Sequence, residues 1–385
     1  MERVAVLRAV RTPIGRFMGG LAGLTVAELG AAATEPLLRG VDLPVGEVIF
    51  GCARQAGQGP NPARQISIRA GLPETVPAHT INMACGSGLK AIWLAADAIR
   101  LGRARAAVAG GVESMSRVPF LLDRMRGGYR LGHAPLLDGM YKDGFHCPLA
   151  DQVMGLTAET LAERYSISRR EQDEFALASQ EKAAEAIAAD AFADELVPVK
   201  AAKETIAADE HPRPDSTLEL LARLKPVFSD SGGVTAGNSS GITDGAAALL
   251  LVEESLVEER GLEPLGWFEE CADAGLDPKV MGLGPVPATR HLLARTGGRL
   301  EEFDLIELNE AFAAQVIACE RELPFARDRL NVHGGAIALG HPIGCTGARI
   351  AVTLLHAMRK RGAGRGLASL CISGGMGLAA SFRAG

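Results

Sequence analysis

Residues 347–375 read G-A-R-I-A-V-T-L-L-H-A-M-R-K-R-G-A-G-R-G-L-A-S-L-C-I-S-G-G. The first part has apolar residues at helical spacing and closes on Gly362, a common stop signal for helices. The second part, from Gly366 onward, is an apolar run of strand length that enters two adjacent glycines. The segment therefore predicts a core-facing helix followed by a buried strand that ends at a glycine turn.

An earlier segment has the same order of features. Gly88 opens a helical pattern that ends near Gly102, and the next run is a small-residue strand that enters Gly110 and Gly111. Apolar runs of strand length alternate with helical patterns, which is typical of an α/β fold with a mostly parallel sheet. The repeat predicts two topologically similar halves packed face to face, with the active site where they meet.

The middle of the chain has a different texture. Its glycine- and proline-rich loops precede a strongly helical stretch at 158–187, in which Ser168 and Glu171 form the pattern of a capping box. We expect an inserted loop domain here, and long loops often carry ligand contacts. The predicted division is an N-terminal half of residues 1–114 with 242–262, an inserted domain of 115–241 and a C-terminal half of 263–385.

The composition favours a globular protein that binds neither nucleic acid nor a membrane. Apolar residues make up 47% of the 385 residues, and the net charge is −6 without a basic tail. No stretch reaches the roughly 20 apolar residues of a membrane span. The seven cysteines are scattered, with no C-x-x-C pair and no zinc-type cluster, so no metal site is predicted. Free thiols and the absence of a signal-peptide pattern indicate a cytoplasmic location.

Two cysteines stand where apolar stretches break into glycines. Cys85 lies in N-M-A-C-G-S-G (82–88) at the predicted start of a helix, where unpaired N–H groups and the helix dipole favour a thiolate. Cys371 lies in C-I-S-G-G-M-G (371–377), where a strand ends and leaves room for a substrate. Buried free cysteines are often structural, so position alone leaves a catalytic and a structural role open for both.

A histidine and an asparagine complete the set of candidate catalytic residues. His341 lies between Gly340 and Pro342, in a turn that cannot drift into a helix. Asn309 follows an apolar strand in L-I-E-L-N-E-A-F (305–312), where a buried amide can hold a water or a carbonyl. The alternative for Asn309 is an N-cap of the following helix. Two thiols, a base and N–H donors suit carbon–carbon bond chemistry next to a thioester.

Five sequence blocks resemble those of the thiolase family and occur in the same order. They are N-M-A-C-G-S-G (82–88), V-T-A-G-N-S-S-G-I-T-D-G-A (234–246), N-E-A-F-A-A-Q (309–315), G-G-A-I-A-L-G-H-P-I-G (334–344) and C-I-S-G-G-M-G (371–377). The resemblance covers essentially the whole chain. It implies an α/β fold of two similar halves in an αβαβα sandwich, with a loop domain that covers coenzyme A.

The resemblance also implies a role for each candidate. Cys85 would accept the acyl group, His341 would activate Cys85, and Cys371 would move the α-proton in the carbon–carbon step. His341 and a water held by Asn309 would stabilise the enolate oxygen. The backbone N–H groups of Cys85 and Ser373 would bind the acyl carbonyl oxygen. The implied reaction is the reversible Claisen condensation of acetyl-CoA to acetoacetyl-CoA, with thiolysis of 3-ketoacyl-CoA as its reverse.

Ser373 departs from the pattern of the biosynthetic enzymes of this family, which usually have glycine there. The backbone N–H survives the change, but a serine with φ above zero would cost roughly 1–2 kcal/mol. We expect this strain at Ser373, because the preceding strand must turn sharply into Gly374 and Gly375.

The resemblance points to coenzyme A and acyl-CoA as substrates, with no covalently bound cofactor. Arg213 would meet the phosphates or the adenine, Phe228 would pack on the adenine, and Ser240 would bond the pantetheine. Met281 and Phe312 would line the acyl end. The predicted ligand-binding residues are Met154, Arg213, Phe228, Ala236, Ser240, Met281 and Phe312. A homotetramer or homodimer is expected.

Three other functions use some of the same residues. G-N-S-S-G (237–241) matches the elbow of serine hydrolases, with Asp304 and His341 in hydrolase order, but a glycine-rich loop precedes it where the elbow needs a strand. A non-catalytic, lipid-carrying relative would not need both thiols, Asn309 and His341. A decarboxylating ketoacyl synthase would not need a second thiol as base.

The preferred acyl-chain length stays open at this point. Val153 stands where a histidine precedes M-G-L-T-A-E (154–159) in some family members, and this favours a degradative enzyme with longer substrates. The block at 371–377 and the block at 234–241 favour acetoacetyl-CoA enzymes instead.

Overall fold

The computed structural model describes residues 3–202 and 204–385. Its strands are β1 (Val4–Arg11), β2 (Gly15–Arg16), β3 (Val45–Gly51), β4 (Ala78–Ile81), β5 (Ala106–Ser114), β6 (Phe120–Leu121), β7 (Leu137–Asp138), β8 (His146–Cys147), β9 (Gln152–Val153), β10 (Val199–Lys200), β11 (Thr205–Ile206), β12 (Thr243–Glu253), β13 (Gly266–Gly275), β14 (Leu305–Leu308), β15 (Arg365–Ile372) and β16 (Met376–Ala384).

Helices alternate with the longer strands. They are α1 (Val26–Leu38), α2 (Pro62–Arg69), α3 (Ser87–Arg100), α4 (Met154–Arg164), α5 (Arg169–Ala188), α6 (Leu218–Ala222), α7 (Glu254–Arg260), α8 (Pro285–Thr296), α9 (Ala313–Glu322), α10 (Ala336–Leu339) and α11 (Ile343–Arg361). None of these helices is long and apolar enough to cross a membrane, as far as residues 3–202 and 204–385 are concerned.

Within residues 3–202 and 204–385, the main sheet has ten strands and runs through both halves of the molecule. The order is β4-β3-β5-β12-β1 in the N-terminal half and β14-β15-β16-β13 in the C-terminal half, with β2 paired to β12. The parallel pair β3–β5 corresponds to β14–β15, and the antiparallel pairs β5–β12 and β12–β1 correspond to β15–β16 and β16–β13. The predicted likeness of the two halves is thus confirmed.

Two central helices separate the two half-sheets. The helix predicted in residues 347–375 is α11, and it packs against α3 and against strands of both halves, including β5, β12 and β15. Every residue from 343 to 358 is buried, as expected for a helix covered on all sides. The helices α1 and α2 cover the outer face of the N-terminal half, and α8 with α9 covers that of the C-terminal half. The predicted αβαβα sandwich is confirmed.

The central helices approach each other closely through glycines. A Cβ atom on Gly88 would lie 2.6 Å from the backbone nitrogen of Ala348, and one on Gly347 would lie 2.4 Å from that of Leu89. A Cβ atom on Gly86 would similarly lie 2.6 Å from Cδ1 of Ile372. The glycines beside Cys85 therefore allow the two halves to pack closely next to this residue.

The region between β5 and β12 carries the small strands β6–β11 and the helices α4–α6. The capping box at its longest helix is present: the Ser168 hydroxyl accepts the Glu171 N–H at 3.2 Å, and the Glu171 carboxylate accepts the Ser168 N–H at 2.8 Å. After this region β12 returns to the N-terminal half-sheet between β5 and β1. The residue boundaries given above for the three domains stay a prediction.

Candidate active site

Cys85 lies in a sharp turn between β4 and α3. The preceding residue, Ala84, has φ +44°, a left-handed conformation that is costly for alanine and that proteins concentrate at functional sites. The turn is held locally: Asn82 Oδ1 accepts the Ala84 N–H at 2.9 Å, and the Ser87 hydroxyl accepts the Met83 N–H at 2.8 Å. The same hydroxyl donates to the Ala84 carbonyl at 2.7 Å. The Cys85 thiol is thus presented from a rigid backbone.

The surroundings of Cys85 act on its thiol in opposite directions. Burial raises the pKa of Cys85, while the Arg54 guanidinium and the backbone N–H groups of Ser373 and Cys85 itself lower it. The thiol is only half-buried, so a ligand can reach it. Because the net effect keeps the thiol protonated, a nearby base must remove its proton before it can attack.

His341 has the properties of that base. The Thr346 hydroxyl donates its one hydrogen to the Pro342 carbonyl at 3.0 Å, so it accepts from Nδ1–H of His341 at 2.6 Å. This arrangement leaves Nε2 with a free lone pair. Burial, with smaller contributions from the positive charges of Arg349 and Arg54, lowers the pKa of His341 to about 3. The ring is therefore neutral near pH 7.

Cys371 and Asn309 lie at the ends of the parallel pair β14 and β15. The Asn309 N–H donates to the Ser369 carbonyl at 3.0 Å, which holds the two strand ends together. The side chain of Asn309 is fully buried, and its Nδ2 and Oδ1 have no hydrogen-bond partner among residues 3–202 and 204–385. Helix α9 begins at Ala313 with Phe312 as its N-cap, so the N-cap alternative for Asn309 is wrong. A buried, unpartnered amide fits a bound water or carbonyl.

Cys371 is more deeply buried than Cys85, with 1% of its surface exposed. Burial raises the pKa of Cys371 well above the ordinary thiol value, and the nearby Cys85 and Cys319 thiols raise it further. Cys371 is therefore a protonated thiol at neutral pH. Cys371 lies near Cys85: the Cys85 thiol raises the pKa of Cys371, and the N–H of Ser373, two residues after Cys371, lowers the pKa of Cys85.

The expected strain at Ser373 is wrong. The left-handed conformations of this turn belong to Gly374, with φ +90°, and Gly375, with φ +82°, and Ser373 is not among the residues with positive φ. The chain reverses direction one residue later than expected, so serine fits without a backbone penalty. Its N–H is free to face Cys85.

A buried glutamate joins the two parts of the site, and the sequence did not point to it. The Glu113 carboxylate accepts backbone N–H groups from Ala53 at 3.1 Å, Arg54 at 2.9 Å and Gly344 at 2.8 Å. The Ala53 carbonyl in turn accepts from Asn82 Nδ2 at 3.1 Å. One carboxylate thus connects the turn before Cys85 with the start of α11 beside His341. The single available signal was a lone acid at the end of the apolar strand β5.

Four of the predicted ligand-binding residues meet in one apolar cluster with Cys371. These are Met154, Phe228, Met281 and Phe312. The rings of Phe228 and Phe312 pack edge to face with centroids 6.2 Å apart, and the Phe228 ring also covers Gly155. The cluster gives an apolar wall beside the thiols. Phe228 packs in this wall with Cys371, and its role as an adenine contact stays a prediction.

Three other predicted contacts lie on the inserted region. Ser240 is partly buried and donates its N–H to the Ala311 carbonyl at 3.0 Å, next to Phe312. Arg213 and Ala236 are exposed. The Arg213 backbone is fixed by its N–H bond to Gln180 Oε1 at 2.8 Å. Ser240 thus borders the apolar wall, and Arg213 faces solvent from an ordered loop.

The serine-hydrolase alternative is wrong. The candidate nucleophile Ser239 lies in the loop before β12, and its hydroxyl donates to the Thr235 carbonyl at 2.6 Å. The candidate acid Asp304 accepts the N–H groups of Gly364 and Arg365 at 2.8 and 3.0 Å, at the far end of β15. Neither residue makes a hydrogen bond to His341, so no Ser-His-Asp arrangement is present.

Comparison with known proteins fits this geometry. Family models described as "Thiolase, N-terminal domain" and "Thiolase, C-terminal domain" match residues 4–255 and 262–384. Acetyl-CoA acetyltransferases of Pseudomonas aeruginosa and Escherichia coli are 51% and 50% identical to the chain, each match covering 98% of both sequences.

Solved structures agree with the sequence relatives. The crystal structure of the Bacillus anthracis acetyl-CoA acetyltransferase has a TM-score of 0.97 at 45% identity and covers 100% of this chain and 99% of that chain. Human mitochondrial 3-ketoacyl-CoA thiolase in complex with CoA has a TM-score of 0.97 at 39% identity, with coverage of 100% and 98%. With matches of this extent in sequence and in structure, the chain belongs to the thiolase family.

Proposed function

We propose that the protein is an acetyl-CoA acetyltransferase, which condenses two molecules of acetyl-CoA to acetoacetyl-CoA and catalyses the reverse thiolysis. The observation that carries the proposal is the mutual influence of Cys85, Cys371 and the Ser373 backbone: the Ser373 N–H lowers the pKa of Cys85, and the nearby Cys85 thiol raises the pKa of Cys371. This places a nucleophile, an N–H donor and a second thiol around one point. The names of the relatives from Pseudomonas aeruginosa and Escherichia coli support the choice of substrate.

In the first half-reaction, Nε2 of His341 takes the Cys85 proton and the thiolate attacks the acetyl-CoA carbonyl. The N–H groups of Cys85 and Ser373 stabilise the oxyanion as charge develops on it. The bond between carbon and the coenzyme A sulfur then breaks, and the leaving thiolate takes the Cys371 proton. Acetyl-Cys85, free coenzyme A and an ion pair of protonated His341 with the Cys371 thiolate result, in which the negative charge of the thiolate raises the pKa of His341 above its value in the unreacted protein.

In the second half-reaction, the Cys371 thiolate removes the α-proton of a second acetyl-CoA. Nε2–H of His341 and a water on the unpartnered Asn309 amide hold the enolate oxygen. The enolate carbon attacks acetyl-Cys85, and acetoacetyl-CoA leaves. The Cys85 thiolate recovers its proton from His341, so each proton returns to its starting group.

We propose that the pantetheine arm of coenzyme A runs along the apolar wall of Met154, Phe228 and Phe312. Ser240 borders the wall and is placed to bond an amide of the arm, and Arg213 in the exposed loop is placed for the phosphates. The solved complex of human mitochondrial 3-ketoacyl-CoA thiolase with CoA, an overall match to this fold, supports coenzyme A binding.

We also propose that the protein is a cytoplasmic homodimer or homotetramer. All seven cysteines are unpaired, which fits a reducing compartment. The strand β4 forms an edge of the main sheet, where unpaired backbone groups favour pairing with another strand. Several large apolar side chains are exposed between residues 120 and 149. Light scattering coupled to gel filtration gives the mass of the assembly.

Mass spectrometry of acetyl-enzyme tests the proposed function. After incubation with acetyl-CoA and proteolysis, the acetyl group is expected on the peptide that contains Cys85. A Cys271→Ala variant is the matched control, because Cys271 is a buried cysteine on β13 outside the site. An acetyl group on Cys371 or Ser239 would contradict the proposal.

Thiolysis rates against the chain length of 3-ketoacyl-CoA then test the substrate. With acetyl transfer as the main activity, acetoacetyl-CoA is expected to give the highest kcat/KM among unbranched, neutral acyl chains. A steady rise of kcat/KM towards longer neutral chains would instead identify a degradative enzyme, in line with Val153.

A further inference from the structure

A cavity lies beside the turn that presents Cys85. Its volume is about 280 Å³, and its lining includes Ala53 and Arg54 from the loop after β3, Asn82, and Val118 and Asp143 from the inserted region. This volume is many times the roughly 30 Å³ that one water molecule occupies in the liquid. The cavity therefore has room for part of a ligand.

Cys85 does not line the cavity, but the cavity shares residues with the apolar cluster beside Cys85. Ala53 and Val118 belong to an apolar cluster against which Cys85 packs, together with Met115, Met140 and Ile343. This cluster is separate from the apolar wall beside Cys371. An acyl chain on Cys85 that turns away from the wall enters the side of the site where the cavity lies.

Arg54 makes the cavity unusual for an apolar acyl pocket. Only 7% of its surface is exposed, and its buried Nε has no hydrogen-bond partner among residues 3–202 and 204–385. The guanidinium lies over Gly144, where a Cβ atom would come within 2.3 Å of Nη2. A side chain at residue 144 would therefore displace it.

The nearby carboxylates make no hydrogen bond to the Arg54 guanidinium, although the charges of Glu113 and Arg54 attract each other. Glu113 is bonded to three backbone N–H groups, one of them from Arg54 itself, and not to the guanidinium. Asp143 lines the cavity but is exposed and forms no ion pair with Arg54. The charge of Glu113 therefore acts on Arg54 without a hydrogen bond, and a ligand carboxylate would supply the bond that Nε lacks.

We propose that this cavity is a subsite for a carboxylate at the far end of the acyl chain carried by Cys85, with Arg54 as its partner. The planar guanidinium can bind a carboxylate through two parallel N–H···O bonds. The substrate class is then short 3-oxoacyl-CoA thioesters that end in a carboxylate, in addition to acetoacetyl-CoA. The inference rests on the proposed function, because it assigns the chain of the acyl-enzyme.

The test compares two substrates that differ only at the chain end. Thiolysis is measured with a six-carbon 3-oxoacyl-CoA ending in a carboxylate and with the same chain ending in a primary amide. The wild-type protein is expected to prefer the carboxylate by about 10- to 100-fold in kcat/KM, the range of a charge-assisted pair. The preference is expected to vanish in Arg54→Gln and to persist in part in Arg54→Lys.

The preference is the ratio of kcat/KM for the carboxylate substrate to kcat/KM for the amide substrate, measured within one variant. A general change in Cys85 reactivity, caused by the lost charge, affects both values and cancels in this ratio. Arg117→Gln is the matched control, since Arg117 is an exposed arginine next to Val118 and removes the same charge outside the cavity. Its preference is expected to equal that of the wild type. Equal rates for both substrates in the wild type, or a full preference in Arg54→Gln, would overturn the subsite.

Two further measurements separate this inference from the proposed function. Thiolysis of acetoacetyl-CoA in the same preparations tests the function alone, and its presence without a carboxylate preference overturns only the subsite. Free glutarate is also expected to slow alkylation of Cys85 by iodoacetamide in the wild type but not in Arg54→Gln. Equal protection in both proteins would count against the subsite even if thiolysis were absent.

Discussion

The two halves of the molecule share a topology but hold different chemistry at equivalent places. The N-terminal half presents Cys85 just before α3, and the C-terminal half presents His341 just before α11. At the ends of the equivalent strands, β5 carries Glu113 and β15 carries Cys371. The repeat thus supplies two pairs of equivalent positions, and the members of each pair hold different functional groups.

The two thiols show what this division achieves. Cys85 is half-buried next to N–H donors and the Arg54 charge, whereas Cys371 is buried in an apolar cluster near two other thiols. Exposure suits a nucleophile that must meet an acyl-CoA. A raised pKa suits a group that first gives a proton and then, as a strong base, removes one from carbon.

The largest effects on rate are expected when the two thiols are replaced one at a time. Cys85→Ala is expected to lose condensation and acetyl labelling together, with a rate loss of at least about 10⁴-fold. Cys371→Ala is expected to lose about 10²- to 10⁴-fold in condensation, the usual contribution of a general base, while one acetyl group per chain still accumulates on Cys85. Labelled acetyl-CoA and a coupled condensation assay measure the two steps.

The Cys271→Ala variant serves again as the control for losing a buried thiol. If Cys371→Ala condenses acetyl-CoA within tenfold of the wild type, the base lies elsewhere and the two thiols do not divide the reaction. If it cannot be acetylated at all, Cys371 acts on Cys85 itself.

Replacing Glu113 tests whether the reaction depends on the carboxylate that connects the two parts of the site. Glu113→Gln keeps the size but turns an NH₂ group towards a backbone donor, so one of the N–H bonds to Ala53, Arg54 or Gly344 is lost. A misplacement of about 1 Å can cost on the order of 10²-fold, and we expect kcat to fall by about 10- to 100-fold with KM within threefold. Steady-state thiolysis of acetoacetyl-CoA separates the two constants.

Glu195→Gln is the matched control for losing a buried carboxylate. Glu195 accepts from Arg11 Nε at 2.5 Å and from the Thr353 hydroxyl at 3.2 Å, away from the thiols. Both variants are expected to unfold at lower temperature, but only Glu113→Gln should lose kcat. A similar loss of kcat in both would reduce Glu113 to a structural role.

The sequence predicted the parts of this molecule that depend on neighbours along the chain. Helix α11, strand β15 and the Ser168 capping box follow from local spacing and from glycine stops, and the matching order near Gly88 revealed the repeat. The partners of Glu113 lie at Ala53 and Gly344, 60 and 231 residues away, and no local pattern connects them. The backbone of Ser373 was mispredicted because the turn was placed one residue too early.

The lowered pKa of His341 makes the free energy of unfolding depend on pH. Its pKa in the folded protein is about 3, below the ordinary value of 6.5, so below pH 6.5 the unfolded chain binds a proton that the folded chain does not. Stability from this group is complete above pH 6.5 and is lost as the pH falls towards 3. Denaturant unfolding at a series of pH values should show that the free energy of unfolding declines less steeply with falling pH in His341→Gln than in the wild type.

The same shift predicts the pH profile of the first half-reaction. The rate of Cys85 acetylation should not fall as the pH drops from 7.5 to 5.5, because Nε2 of His341 stays unprotonated. In the unfolding measurements above, the other buried histidines contribute equally to the wild type and to His341→Gln, so their effects cancel. A sigmoidal loss of acetylation centred near pH 6.5 would show an exposed, ordinary histidine and contradict the structure.

The smallest expected effect concerns the turn after β15. Because Ser373 has no positive φ, Ser373→Gly relieves no strain; it only adds freedom to the unfolded chain and should cost about 0.5–1 kcal/mol of unfolding free energy. The rate should change little, since the N–H donor remains.

Gly374→Ala is the matched comparison. Gly374 has φ +90°, and a Cβ atom there would have Leu149 Cδ1 as its nearest neighbour, at 3.7 Å, so the cost is backbone strain alone, about 1–2 kcal/mol. Denaturant midpoints rank the three proteins, with the wild type highest. A Ser373→Gly protein more stable than the wild type would place the left-handed residue at 373 and reverse the assignment.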